Sequence, residues 1–183
     1  MWAWIALGVV VLLALVAVAV YNALVSKRIR VDEAWSQIDV QLKRRYDLVP
    51  NLVQTVKGYA AHERGTLEAV VSARNAAMAS KTVAEHSETE NILTGALRQL
   101  FALSEAYPTL KANENFARLQ EELSSTENKI AFARQHYNAS AAEYNTSREV
   151  FPNNILAGMF GFTKRDYFQL EEPGQREAPK VQF

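Results

Sequence analysis

Apolar residues fall in two patterns along this 183-residue chain: one unbroken run at the front, then helical spacing almost throughout. The run, WAWIALGVVVLLALVAVAV from Trp2 to Val20, holds no charged or strongly polar side chain. As a helix it would extend about 28 Å, close to the roughly 30 Å hydrocarbon layer of a bilayer. Trp2 and Trp4 sit at one end and Tyr21 at the other, where aromatic rings favour the lipid–water interface. Residues 1–26 therefore read as a transmembrane anchor. A cleavable signal peptide is the competing reading, because Ala17-Val18-Ala19 has the form of a cleavage site. Against it, no Lys or Arg precedes the run, which is longer than a signal core of about 7–15 residues.

The second pattern begins with Trp35, Ile38, Leu42, Val49, Leu52, Val56 and Tyr59, three and four apart on one face of a helix, and continues less cleanly through Leu67, Val70 and Val71. Pro50 lies inside this stretch. It removes a backbone donor and is expected to kink the helix near Tyr46–Val49, with Asp47 as an acceptor for loosened amides. The polar segment 80–89 reads as a loop. Ser87-x-x-Glu90 has the form of a capping box for a helix carrying Ile92, Leu93, Ala96, Leu97, Leu100, Phe101 and Leu103. That helix is expected to end at Tyr107-Pro108. Ser124-x-x-Glu127 has the same form but is passed over, since the periodicity runs straight through it.

From Phe116 the spacing becomes a heptad: Phe116, Leu123, Ile130, Tyr137, Tyr144 and Phe151 on one row, Leu119, Thr126, Ala133, Ser140 and Ser147 on the other. Large residues opposite small ones suit close helix packing. Loops elsewhere let the chain fold back on itself, which favours an intramolecular antiparallel bundle over an extended coiled coil. The expected fold is all-α: an N-terminal transmembrane helix, then an antiparallel bundle of three long helices plus a short C-terminal helix. Residues 1–26 form the anchor, 27–168 the bundle domain and 169–183 a disordered tail.

Charge adds orientation. The 20 basic and 20 acidic residues all follow residue 26. Lys27, Arg28 and Arg30 come directly after the apolar run, so the positive-inside rule sets the C-terminal domain in the cytoplasm and the N-terminus outside. Balanced charge argues against nucleic acid as a partner. Without cysteine there is no disulfide, thiolate metal site or thiol nucleophile.

Motifs for chemistry are missing. His62-Glu63 lacks the second histidine of a zinc-protease helix, and no phosphate loop, serine elbow or kinase lysine–aspartate set occurs. No catalytic residue, cofactor or metal is expected. Polar residues in or near the apolar seams need explaining instead: Arg44, Arg45, Asp47, Asn51, Glu122, Glu127, Arg134, Asn145 and Arg148, with Asn128 and Asn138 beside them. Arg45 falls where its stripe should be apolar, so a carboxylate such as Glu122 or Glu127 is expected opposite it. This network either fixes helix register or binds a ligand, and register is preferred. The segment NNILAGMFGF with Lys164 and Arg165 behind it also has two readings. One is a short helix capping the bundle, with Gly158 and Gly161 permitting close packing. The other is a docking or membrane-interface segment formed by Phe160, Phe162, Lys164 and Arg165.

Four long stretches, AWSQIDVQLKRRYDLVPNLVQTVKGYAAHE, YPTLKANENF, LQEELSSTENKIAFARQHYN and YNTSREVFPNNILAGMFGF, resemble the LemA family of bacterial membrane proteins. The resemblance runs from the anchor to about Phe168 and is met at Arg44, Arg45, Pro50, Asn51, Glu127, Asn128, Asn138, Asn145 and Pro152. It implies a membrane-tethered antiparallel bundle of about four helices and supplies little mechanism. The expected role is a non-enzymatic scaffold or adaptor in the bacterial inner membrane, with the lipid bilayer and other membrane proteins as partners and self-association through its faces. The alternative is a membrane-shaping protein that acts through oligomers and an interfacial aromatic segment.

Overall fold

The computed structural model describes residues 1–169. They form α1 (Trp2–Lys57), α2 (Arg64–Ala79), α3 (Val83–Ser104), α4 (Pro108–Lys111), α5 (Glu114–Glu149) and α6 (Asn153–Met159), with no strand among the described residues. The tail expected from residue 169 lies, apart from Gln169, outside them. The chain divides into two compact units: residues 1–40 with 131–167, and residues 41–130 with the segment from 168.

The first unit begins with an apolar helix segment that buries nothing. Residues 2–20 of α1 are exposed or nearly so, and they give the one helix among the described residues that is long and apolar enough to cross a membrane. From Leu24 onward the same helix turns inward, burying Leu24, Val31, Ala34 and Ile38. Leu24, Val31 and Ile38 contribute about 1.5–3 kcal/mol each by this burial. The α5 portion of this unit buries Tyr137, Ala141 and Tyr144. Two contacts set the register as antiparallel: the rings of Trp35 and Tyr137, 5.5 Å between centroids, and Lys27 Nζ to Glu143 Oε1 at 2.6 Å.

The heptad of α5 stops one step short of its expected end. Phe116, Leu123, Ile130, Tyr137 and Tyr144 are buried, whereas Phe151 lies beyond the helix and is exposed. After α6 the chain reverses at Gly161, whose φ of +67° is the left-handed conformation that glycine adopts without a Cβ clash. Phe162 N–H donates to Ala157 O at 3.0 Å and Gly161 N–H to Gly158 O at 3.4 Å, the paired bonds of a Schellman cap. Close packing does not explain Gly158 and Gly161, since a Cβ at either would meet no heavy atom within 4 Å. Gly161 is needed for its dihedral.

The second unit contains residues 41–57 of α1, all of α2, α3 and α4, and the N-terminal half of α5. Leu42, Val49, Leu52 and Val56 are fully buried, as are Val70, Ala77, Leu93, Leu100 and Leu110. The α1 helix ends at Lys57 and α2 starts at Arg64, so Leu67 and Val70 belong to a separate helix rather than to the same stripe. The next helix begins earlier than expected. Thr82 and Glu85 form the capping box, each side chain bonding to the other's backbone N–H, while Ser87 and Glu90 are buried inside α3. That helix closes at Ser104, three residues before Tyr107, and Pro108 occupies the first turn of α4. Asn113 Oδ1 accepts from Phe116 N–H at 3.0 Å and caps α5, which runs unbroken through Ser124-x-x-Glu127.

Candidate functional site: two polar clusters

In the second unit Arg45 and Tyr46 form a node that reaches three other helices. Both Arg45 and its partner Glu90 are 0% exposed, with Nη1 to Oε2 at 3.0 Å. Arg45 Nη2 donates to Thr94 Oγ1 at 2.7 Å and lies 2.9 Å from Glu127 Oε1. The Tyr46 hydroxyl donates to the second Glu90 oxygen. Arg45 occupies a heptad position, seven residues after Ile38 and seven before Leu52, both fully buried. A guanidinium held there is tolerable only because carboxylates from α3 and α5 meet it.

Pro50 explains a further contact. Lacking an N–H, it leaves the Tyr46 carbonyl without its usual helical donor, yet α1 continues through it. Arg74 of α2 supplies the replacement, with Nε donating to Tyr46 O at 2.7 Å. Asp47, expected to assist the loosened turn, faces solvent instead. The orphaned group is a carbonyl, so it needs a donor.

Of the other predicted polar residues, Arg44 is half-exposed and 4.0 Å from Glu122, and Asn51 is exposed. Arg134, Asn145 and Arg148 belong to the first unit, so the predicted set is divided between two clusters. Asn145 is a strap-holder. Its Nδ2 donates to Arg165 O and its Oδ1 accepts from Arg165 N–H, both at 2.9 Å. Tyr144 donates its hydroxyl to Thr163 O at 3.0 Å, and Tyr137 to Asp166 O at 2.9 Å. Three α5 side chains thus bind the backbone of the extended segment 163–166. Burial pushes the Tyr137 phenol above its ordinary pKa, keeping it a donor. Arg134 is buried, and Arg148 is half-buried 4.0 Å from Glu149.

The predicted docking segment also separates. Phe160 is 57% exposed, whereas Phe162 is only 7% exposed and lies inside, 5.7 Å from the Tyr21 ring and beneath the Arg28 guanidinium at 5.4 Å. Lys164 is exposed, and Arg165 Nη2 contacts Asp32 Oδ1 at 2.8 Å. Sequence reasoning missed Glu90, Thr94 and Arg74. Among the described residues no group of three or more His, Asp or Glu side chains is arranged to hold a metal.

A chain that is helical with one candidate span among its described residues, and whose clustered polar groups bind one another and the backbone, belongs to the class of helical membrane-associated proteins. The chain matches the LemA family over residues 34–183 and is a member of it. It is similar to magnetosome protein MamQ 1 of Paramagnetospirillum magneticum, 27% identical over 180 positions covering 84% of this chain and 66% of that protein. The MamQ protein of Magnetospirillum gryphiswaldense gives the same figures. Protein LemA of Metamycoplasma hominis is 26% identical over 155 positions, covering 82% of this chain and 69% of that one. The chain spans just under two thirds of the MamQ relatives' length.

Proposed function

We propose that the protein is a non-enzymatic scaffold or adaptor that organises other proteins at the bacterial inner membrane. The observation that carries this reading is the continuity of α1, which passes from the exposed apolar segment into the packed first unit without a loop. A helical joint fixes both standoff and rotation of that unit relative to the bilayer. Confinement to two dimensions then raises its effective concentration toward other membrane proteins. Relatives named for a cell structure, the magnetosome, rather than for a reaction are consistent with such a role.

Photo-crosslinking residues placed at exposed apolar positions, Val40 or Phe132, test it in intact cells. Recurrent adducts with a small set of membrane proteins are expected, and they should vanish when residues 1–26 are deleted. Adducts indifferent to that deletion, or none at any exposed position, would contradict it.

A further inference from the structure

The first unit contains an apolar surface that none of its own side chains cover. Phe151, Ile155 and Met159 are 79%, 54% and 73% exposed, and Phe160 beside them is 57% exposed. Ile155 and Met159 are four residues apart, which places them on one side of α6, and Phe151 lies in the turn before that helix. The opposite side of α6 carries the buried Ala157. Four large apolar residues exposed in so short a segment need an apolar neighbour.

Register says where this surface lies. Lys27 on α1 faces Glu143 on antiparallel α5, and six residues further along each helix come Tyr21 and Glu149. At 1.5 Å per residue both are displaced about 9 Å, so α5 ends level with Tyr21. The ring contact agrees: Tyr21 and Phe160 are edge-to-face at 5.0 Å. Tyr21 is the aromatic residue that closes the apolar run of α1. Phe160, next to the exposed stripe of α6, therefore adjoins the end of the exposed apolar surface of α1, at the level where the chain would leave the hydrocarbon.

The charges near that plane are mixed, but its acids have cations beside them: Glu143 pairs with Lys27, and Glu149 lies 4.0 Å from Arg148. Arg28 and Arg30 are exposed on α1, and Lys164 is exposed on the strap one to two turns back from the end of α5, where Tyr144 holds Thr163. Anionic headgroups would meet these cations while α6 meets the upper acyl chains. The Schellman cap at Gly161 sorts the two phenylalanines, sending Phe162 into the protein and leaving Phe160 outside.

We infer that α6 is an interfacial membrane-docking element, its Phe151, Ile155, Met159 and Phe160 side chains entering the headgroup–acyl boundary of the bilayer that α1 spans. The inference rests on the reading of α1 as a span. It gives the protein a second attachment point, which fixes the rotation of the first unit about α1.

The chain has no cysteine, so single-cysteine variants report one position each. Full-length protein carrying Leu12→Cys, Ile155→Cys or Ala139→Cys is labelled with nitrobenzoxadiazole. It is then reconstituted into phosphatidylethanolamine–phosphatidylglycerol vesicles containing acyl chains brominated at chosen depths. The label at Ile155 should be quenched several-fold more by shallow bromines than the label at Ala139, which should respond to aqueous iodide alone. Leu12 should respond to deep bromines. Ile155 behaving like Ala139 would overturn the inference. So would shielding of Ile155 from both quenchers, which would mean that a second copy or another protein covers the stripe. If Leu12 is quenched by bromine and Ile155 is not, the span stands and only the docking of α6 falls; if neither is quenched, both fall. Met159→Cys, on the same stripe, should reproduce the result at Ile155.

Discussion

The two units solve the same problem, polar groups inside a helical bundle, with different chemistry. The second unit buries a full ion pair, Arg45 with Glu90, and completes it with Thr94, Tyr46 and Glu127. The first unit has Tyr137, Tyr144 and Asn145 bind the peptide groups of residues 163–166. A buried charge pair is intolerant of losing either member, because the survivor stays desolvated. A strap whose peptide groups are held by neutral side chains is more forgiving, since no single loss leaves a buried charge unpaired. The node belongs to positions that must not slip, and the strap to a segment fastened by several weaker bonds.

The largest effect should come from breaking the node. Glu90→Ala should destabilise the second unit by about 3–5 kcal/mol, read by urea unfolding in detergent, since it removes the fully buried partner of Arg45 Nη1 and leaves only the partly exposed Glu127 as counter-charge. Arg45→Ala should cost a similar amount, and the double variant should lose clearly less than the sum. Additive losses would show that the two charges act independently.

The next effect tests Pro50. Arg74→Ala should cost about 1–3 kcal/mol by leaving the Tyr46 carbonyl unsatisfied. In a Pro50→Ala background the restored amide can serve that carbonyl, so the cost of removing Arg74 should shrink. An unchanged cost would mean that Arg74 acts through something other than this bond.

Smaller losses belong to the strap. Tyr144→Phe should cost about 0.5–1.5 kcal/mol, and Asn145→Ala, which removes two bonds, somewhat more. The sensitive readout is trypsin cleavage after Lys164 and Arg165, which should accelerate in both variants while the second unit's unfolding stays unchanged. A shift of both units together would erase the distinction between them.

The smallest effect concerns two exposed carboxylates. Amide donors at Lys81 and Thr82 hold Glu85 below its ordinary pKa, and the Lys27 ammonium does the same for Glu143. A depressed folded pKa means that each contributes stability above the unfolded value and loses it as pH falls through the folded one. Raising salt should move the Glu143 titration back toward the ordinary carboxylate value, because it depends on a surface charge, and should leave Glu85 nearly unmoved. Equal salt sensitivity in a carbon-detected NMR titration would contradict these assigned causes.

Much of this was legible from spacing. The heptad positions Phe116 to Tyr144 and the cation in the α1 stripe are periodic features, the apolar run is a matter of length, and both signals survive without knowledge of neighbours. Glu90 was obscured because Ser87-x-x-Glu90 matches a capping box. Thr82-x-x-Glu85, five residues earlier, has an equal form and is the real cap. Placing Glu90 on one helical face with Leu93, Leu97 and Leu100 would have marked it as buried. Arg74 could be reached by asking which donor replaces the one Pro50 removes, but its identity depends on how α2 returns, which local pattern does not encode. Spacing alone puts Phe151 in the seam, because the seven-residue count carries on past the end of α5 at Glu149.

Hydrogen exchange of the full-length protein in lipid nanodiscs tests the rigid connection between anchor and first unit most directly. Amides from Tyr21 through Val31 should be protected continuously, with slow exchange joining the apolar segment to the packed part of α1. Fast exchange anywhere in that stretch would reveal a flexible joint and contradict a fixed standoff from the membrane.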